Sequence, residues 1–398
     1  MWFIIVFMCL LVASIYQVQT HKELKKLYYA FLILLTVMLC FRYAQGTDYV
    51  TYEARYYFDH PTYSKFEPGY QLLTEVFQRL HMEFPLLIMC IGLVNMLLLN
   101  RFINKNSECN IFSLLIAYPT LYLTYFYSIM RQGVAISLFL GVMLECLEKR
   151  KYILYYILAL LAISFHKSSV VFLVVPIALK FREKHYYYLL VLAILFAILS
   201  RGEWFGKLLI SLFNHQGKAY SQPAFFVWGI LERCALFSLI FFLYHKTNLK
   251  ENESKIQSIL YRIYFLSFIG NIAFSQYFGS RLFSGFKLVE VVLLVNLIVQ
   301  IDIKRLKQGI MVLISAYLIL MIFKNITAYI HEGGYGDITP FEYPYISILN
   351  KEESLVREVC RRRVEDFNKA ADEYTQKVDV HFSLPGNRWD WFVGYKEN

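Results

Sequence analysis

Several ionisable side chains stand where an apolar run gives way to a turn. They are Arg42, Asp48, Arg131 beside Gln132, His166 beside Lys167, and Arg281. Charged groups at or inside hydrocarbon are costly, so each needs a partner or a function. Arginine presents a planar fork of donors that fits phosphate oxygens and keeps its charge at any relevant pH. Arg42, Arg131, Lys167 and Arg281 are therefore candidates to hold a pyrophosphate, although an interfacial arginine can also snorkel to lipid headgroups. His166 is the first candidate for a general base, because imidazole titrates near neutrality. Asp48 is the second, and as an aspartate after Gly46 it also suits a plain turn. Glu67 lies in a Glu-Pro-Gly-Tyr turn, within a stretch that holds six tyrosines from Tyr49 to Tyr70. Such rings offer flat faces with hydroxyl tips, on which sugars or lipid headgroups can stack. Tyr49, Tyr52, Glu67, Tyr70 and Gln132 are assigned to substrate. No nucleotide loop, nucleophile elbow, zinc helix or dinucleotide fingerprint is present. No DxD-like metal motif is obvious in the outer loops, so the expectation is a site with neither metal nor cofactor.

These residues must be carried by membrane helices. Of 398 residues, 58% are hydrophobic and only 18% charged, against roughly 25% charged in soluble domains. The apolar residues fall in runs of about 15–22, the length a helix needs to cross hydrocarbon. The predicted fold is all-α and polytopic, with about twelve transmembrane helices near 2–20, 27–44, 84–102, 111–128, 131–147, 152–165, 168–180, 186–200, 224–244, 257–275, 283–301 and 309–326. The first run has no basic residue before it and reads as a retained helix rather than a cleaved leader. The turns near 128–131 and 166–168 are so tight that their helices are expected to be short or tilted.

Charge gives the topology. Six alternate turns, at 21–26, 101–110, 148–151, 180–185, 246–255 and 304–307, hold 17 Lys and Arg. The 45–83 segment carries six acidic and three basic residues. The positive-inside rule then places the basic turns in the cytoplasm. The large 45–83 loop, the 201–223 loop, both termini and a 331–398 tail fall outside. The tail reads as a short soluble segment, helical over about 352–378, behind a transmembrane domain at 1–330. This alternation also accounts for the +10 net charge without a nucleic-acid partner. Seven cysteines, none in a CxxC pair, imply neither a disulfide framework nor zinc. Within the spans, Glu145 and Arg262 sit near cytoplasmic ends. Glu232 with Arg233, and Lys287 with Glu290, lie deeper; the last two are three apart on one helical face and are expected to pair.

The run Arg42-Tyr43-Ala44-Gln45-Gly46-Thr47-Asp48-Tyr49, followed by Tyr52 and Glu67-Pro68-Gly69-Tyr70, resembles the signature of the EpsG family, relatives of the O-antigen polymerase Wzy. Arg131-Gln132-Gly133-Val134-Ala135 and Phe165-His166-Lys167-Ser168-Ser169 continue the resemblance in order over about residues 1–300. The resemblance implies a bacterial inner-membrane glycosyltransferase. It would join undecaprenyl-pyrophosphate-linked oligosaccharide repeats into O-antigen, capsule or exopolysaccharide at the periplasmic face. Donor, acceptor and surrounding membrane lipids would be its ligands, with a chain-length regulator protein as a further partner. Arginines near the departing pyrophosphate suit that chemistry independently, since negative charge builds there. A lipid-linked oligosaccharide flippase would share the helices and arginines, but it should show two halves of matching pattern, and none is evident. An O-antigen ligase and a membrane acyltransferase stay open as further alternatives.

Overall fold

In a computed structural model, residues 1–57, 66–200, 207, 227–246, 255–275, 282–333 and 338–349 are described. They are helical throughout, without β-strands, apart from one bridge between Arg42 and Ser347. In chain order the helices are α1 (Trp2–Thr20), α2 (Lys25–Cys40), α3 (Tyr49–Tyr57), α4 (Pro68–Arg79), α5 (Phe84–Asn106), α6 (Asn110–Phe126), α7 (Met130–Glu148), α8 (Tyr152–Phe165) and α9 (Lys167–Ala178). Then come α10 (Glu183–Leu199), α11 (Val227–Lys246), α12 (Lys255–Ala273), α13 (Ser284–Lys287), α14 (Glu290–Val299) and α15 (Lys304–Gly333).

Helix stands at each of the twelve expected positions. Among the described residues, four helices, α1, α5, α7 and α15, are long and apolar enough to cross a membrane by length and composition. Their outward faces are greasy: Val312, Leu313 and Leu320 on α15 are each more than two-thirds exposed. Water would not tolerate contiguous apolar surface of that kind, whereas lipid does. Three local readings of the sequence are corrected. The 45–83 stretch is not simply loop, since it holds α3 and α4. The 283–301 helix is broken after Lys287, and α9 begins as a 3₁₀ segment, Lys167–Val174.

The breaks have causes. Pro119 cannot donate to the helical ladder, and α6 passes into a wider π-helical stretch, Tyr118–Phe126. The carbonyl of Pro119 is taken up by Asn325 Nδ2 from α15 at 2.8 Å and by Thr124 Oγ1 at 3.0 Å. Re-satisfaction by a neighbouring helix is what makes such a defect tolerable in lipid.

The basic turns gather at one end of the bundle. Glu145 of α7 pairs with Arg101 at 2.6 Å and with Lys149 at 2.5 Å, while Lys105 meets Glu148 at 2.8 Å. Lys255 donates to the Glu148 carbonyl, and Gln300 reaches Glu108 at 2.6 Å. Gln17, ahead of the first basic turn, accepts from the amide of Ile111 at 3.1 Å. At the opposite end lie the N-terminus and residues 338–349, which fold over the bundle as a strap. The Met1 amine donates to the Tyr343 carbonyl at 2.8 Å. Gln45 donates to the Pro344 carbonyl at 2.8 Å and accepts from the Ile346 amide at 3.0 Å and the Tyr127 hydroxyl at 2.8 Å. The backbone amides of Tyr43 and Ile348 complete the clasp on the carbonyls of Ile346 and Phe41.

Candidate active site

The residues of the three motifs meet at this strap-covered end. Gly46 makes the approach possible. Its φ of 96° lies in the region that favours glycine, and a Cβ there would land on the Tyr127 carbonyl. The amide of Thr47 then reaches the Ser128 hydroxyl at 3.4 Å, which fixes the 42–48 run against the turn between α6 and α7. Asp48 opens α3: its carbonyl accepts from the Tyr52 amide, and its carboxylate accepts from the Thr47 hydroxyl at 3.0 Å. One turn along, Tyr52 faces Arg131, whose Nε donates to its hydroxyl at 3.3 Å. Burial pushes the Tyr52 phenol up; the Arg131 guanidinium opposes the shift and the Asp48 carboxylate adds to it. Asp48 and Arg131 therefore act on the Tyr52 phenol from opposite signs.

Glu67 is the hub. It occupies the residue before α4, with Pro68 in the first turn, but its carboxylate does not cap the helix. It forms an ion pair with Arg131 Nη1 instead. Its other oxygen accepts from the backbone amide of Lys167 at 3.2 Å and stands 3.7 Å from His166 Nδ1. His166 has an extended backbone where α8 ends, so the tight turn that closes α8 is also what carries the ring to Glu67. Gly69 lets α4 lie directly on that end of α8, because a Cβ would meet Ser164. Three motifs remote in sequence are thus joined through one carboxylate that is only 8% exposed.

Aromatic rings complete the wall. Phe66 packs on Tyr52 and Tyr70 with centroids 5.5 and 5.2 Å away, and Tyr70 is fully buried. The guanidiniums of Arg55 and Arg131 both lie 4.2 Å from the Phe66 centroid. Quadrupolar attraction of this kind holds cations without neutralising them. Gln132 faces the other way, donating to Ser168 at 3.3 Å and to Ser284 of α13 at 2.8 Å.

The assigned residues divide accordingly. Arg131, His166, Glu67, Tyr52 and Tyr70 come together, with Gln132 and Asp48 adjoining. Lys167 contributes its backbone amide, and its side chain is exposed. Arg42 lies apart. It is 1% exposed beneath the strap, donates to the Leu39 carbonyl at 2.9 Å and rests 5.0 Å from the Tyr127 centroid. Tyr49 joins that second group through Tyr43 and Phe84 rather than the Glu67 hub. Arg281, the 201–223 loop apart from residue 207, the 352–378 helix and the tail beyond 349 lie outside the described residues. Sequence reading missed Arg55 and Phe66. Reading 49–57 as a helix would have revealed Arg55, which then shares a face with Tyr52 three residues earlier.

No curated protein and no solved structure matches the chain. A model of the EpsG family matches residues 25–346, which takes in every motif above and most of the strap, beyond the stretch over which the motifs themselves extend. That family is one of membrane polysaccharide polymerases of glycosyltransferase type. The chain belongs to the EpsG family.

Proposed function

We propose that the protein lengthens a surface polysaccharide at the periplasmic face of a bacterial inner membrane, using undecaprenyl-pyrophosphate-linked oligosaccharides as donor and acceptor. In this reading the helical segments make twelve crossings, the basic turns face the cytoplasm, and the Glu67 hub faces out. A hydroxyl of the acceptor's sugar attacks the anomeric carbon of the donor chain. The bond from that carbon to the pyrophosphate oxygen breaks, the electron pair leaves with undecaprenyl pyrophosphate, and the hydroxyl proton passes to a base. His166 is that base, with Asp48 the second candidate. Arg131 stabilises the charge that builds on the departing pyrophosphate, with Arg281 and Lys167 assigned to the same anion. Tyr52 and Tyr70, packed with Phe66, back the sugar side of the site, and Gln132 ties it to Ser168 and Ser284.

The observation that carries this reading is the shared carboxylate. Glu67 holds a cation suited to the leaving group and lies beside a group suited to the proton, so both ends of the transfer are oriented together. The test is electrophoresis of the cell's lipid-linked polysaccharide. Arg131→Ala and His166→Ala should each remain in the membrane and yield carriers bearing a single repeat in place of a ladder. A normal ladder from Arg131→Ala would remove the pyrophosphate assignment, and one from His166→Ala would move the base to Asp48.

A further inference from the structure

Gln45 stands in the first signature run, yet it takes no part in the chemistry assigned above. It is fully buried, and both ends of its carboxamide are engaged. Nε2 donates to the Pro344 carbonyl at 2.8 Å, and Oε1 accepts from the Ile346 amide at 3.0 Å, so the side chain holds the strap. The same Oε1 accepts from the Tyr127 hydroxyl at 2.8 Å, so it also holds the turn between α6 and α7. A buried amide engaged in this way is costly to move, because each partner it leaves is stranded away from water.

Two further contacts reach the same turn. Gly46 lies against the Tyr127 carbonyl, and the Thr47 amide meets the Ser128 hydroxyl at 3.4 Å. Residues 45, 46 and 47 thus each touch Tyr127 or Ser128. The Tyr127 ring is wedged as well, edge-on to Phe3 at 5.6 Å and stacked on Tyr329 of α15 at 5.7 Å. From this turn to the reacting cation is a short step. The Ser128 carbonyl accepts from the Met130 amide at 3.1 Å, α7 starts at Met130, and Arg131 is its second residue. Ile129, just before the helix, supplies no side-chain cap. A helix start without a cap owes its direction to whatever holds the preceding turn. Here that is the 45–47 run, with the strap behind it. Arg131 has little latitude, since it must meet Glu67 and Tyr52 together. A displacement of about 1 Å in a group that orients or stabilises a reaction can cost 10²-fold in rate.

We propose that Gln45 is a positioning residue for the transfer. It locks the strap to the α6–α7 turn and so holds Arg131 where the departing pyrophosphate needs it, while touching no substrate itself. The strap thereby belongs to the frame of the site and not only to the outer cover of the bundle. The inference rests on the polymerase reading and on the part that Arg131 plays in it.

The test uses the full-length protein in lipid vesicles supplied with lipid-linked repeats extracted from the cell. Initial rates are measured over repeat concentration and normalised to folded protein. Tyr127→Phe keeps the ring and removes only the hydroxyl. It should lower kcat about fivefold, the worth of roughly one hydrogen bond, and leave KM unchanged. Gln45→Leu also releases the strap and should lower kcat further. Neither change should add to the loss seen in Arg131→Gln, because all three act through one guanidinium. A merely structural Gln45 would reduce the yield of folded protein and leave the normalised kcat alone. Parent kcat in Tyr127→Phe would overturn the inference, and that result stays decisive even if Gln45→Leu does not fold. Losses that multiply with that of Arg131→Gln would overturn it too, since Gln45 would then act elsewhere. If the parent extends no repeat, or Arg131→Gln extends repeats normally, the underlying reading falls and the inference with it. An active parent and an impaired Arg131→Gln beside an unaffected Tyr127→Phe would remove the inference alone.

Discussion

Replacing Glu67 with Gln removes a charge while keeping the side chain's length and one acceptor oxygen. The remaining oxygen can still accept from the Lys167 amide. What disappears is the compensation of Arg131, whose side chain is 20% exposed against 8% for Glu67. Breaking a fully buried pair costs about 3–5 kcal/mol because the surviving charge is stranded. Here Arg131 is partly exposed and Phe66 lies under it, so the cost falls just below that range, at about 2–3 kcal/mol. If that energy orients Arg131 and His166 for transfer, chain growth should slow by roughly 30–150-fold. The assay is pulse-labelled polymerisation in membrane vesicles, normalised to the amount of folded protein. Glu67→Ala should do worse, since it also abandons the Lys167 amide. The double variant Glu67→Gln/Arg131→Gln should be no slower than the worse single one, because the two act as a unit. A Glu67→Gln protein with a normal rate would refute the hub. So would a loss that merely tracks reduced abundance, since the carboxylate would then serve folding and not transfer.

Three further outcomes test the frame around the site. Gly46→Ala should lower the melting temperature of the purified protein and its membrane abundance, because it combines a strained φ with a Cβ placed on the Tyr127 carbonyl; an unchanged melt would mean the 42–48 run is not held as described. Asn325→Leu should cost about 1–3 kcal/mol in resistance to thermal inactivation, since the Pro119 carbonyl loses its donor from α15 and lipid offers none; wild-type resistance would show that the π-helical stretch needs no outside partner. In a background without native cysteines, Arg79→Cys should react with an impermeant maleimide from the periplasm, and Lys151→Cys only after the inner membrane is opened; the reverse pattern would invert the topology and with it the proposed face.

The sequence foretold some features better than others, and the difference is physical. Helix positions were legible because lipid enforces long apolar runs and charge alternates at their ends. The gathering of Arg101, Lys105, Lys149 and Lys255 around Glu145 and Glu148 is the spatial counterpart of that alternation. The pairing of Lys287 with Glu290 was legible too, because helical spacing alone brings residues three apart together. By contrast, α3 and α4 were hidden. Their apolar residues are interrupted by polar ones every few positions, so neither helix shows an uninterrupted apolar run. Without α3 there was no reason to set Arg55 beside Phe66 and Arg131.

The site's members were named from their types, but their partition was not. Arg42 and Arg131 look alike in sequence, each an arginine at the end of an apolar run. Only the strap distinguishes them. Residues 343–348 return across some three hundred positions to bury Arg42 against Tyr127, while Arg131, 20% exposed, lies against Phe66 and Tyr52. Such a long-range return has no periodicity to announce it. It also gives Arg42 a physical task that needs no ligand, because its guanidinium is held by the Leu39 carbonyl and aromatic faces and so anchors the 42–48 run from below. An Arg42→Lys protein should therefore lose stability, since a point charge cannot reproduce that planar stacking. Its chain-length profile, corrected for protein amount, should stay near the parent's, whereas Arg131→Lys should shorten the ladder at unchanged abundance. If the corrected profiles of the two variants collapse equally, Arg42 reaches substrate after all, and the separation of an anchoring arginine from a reacting one fails.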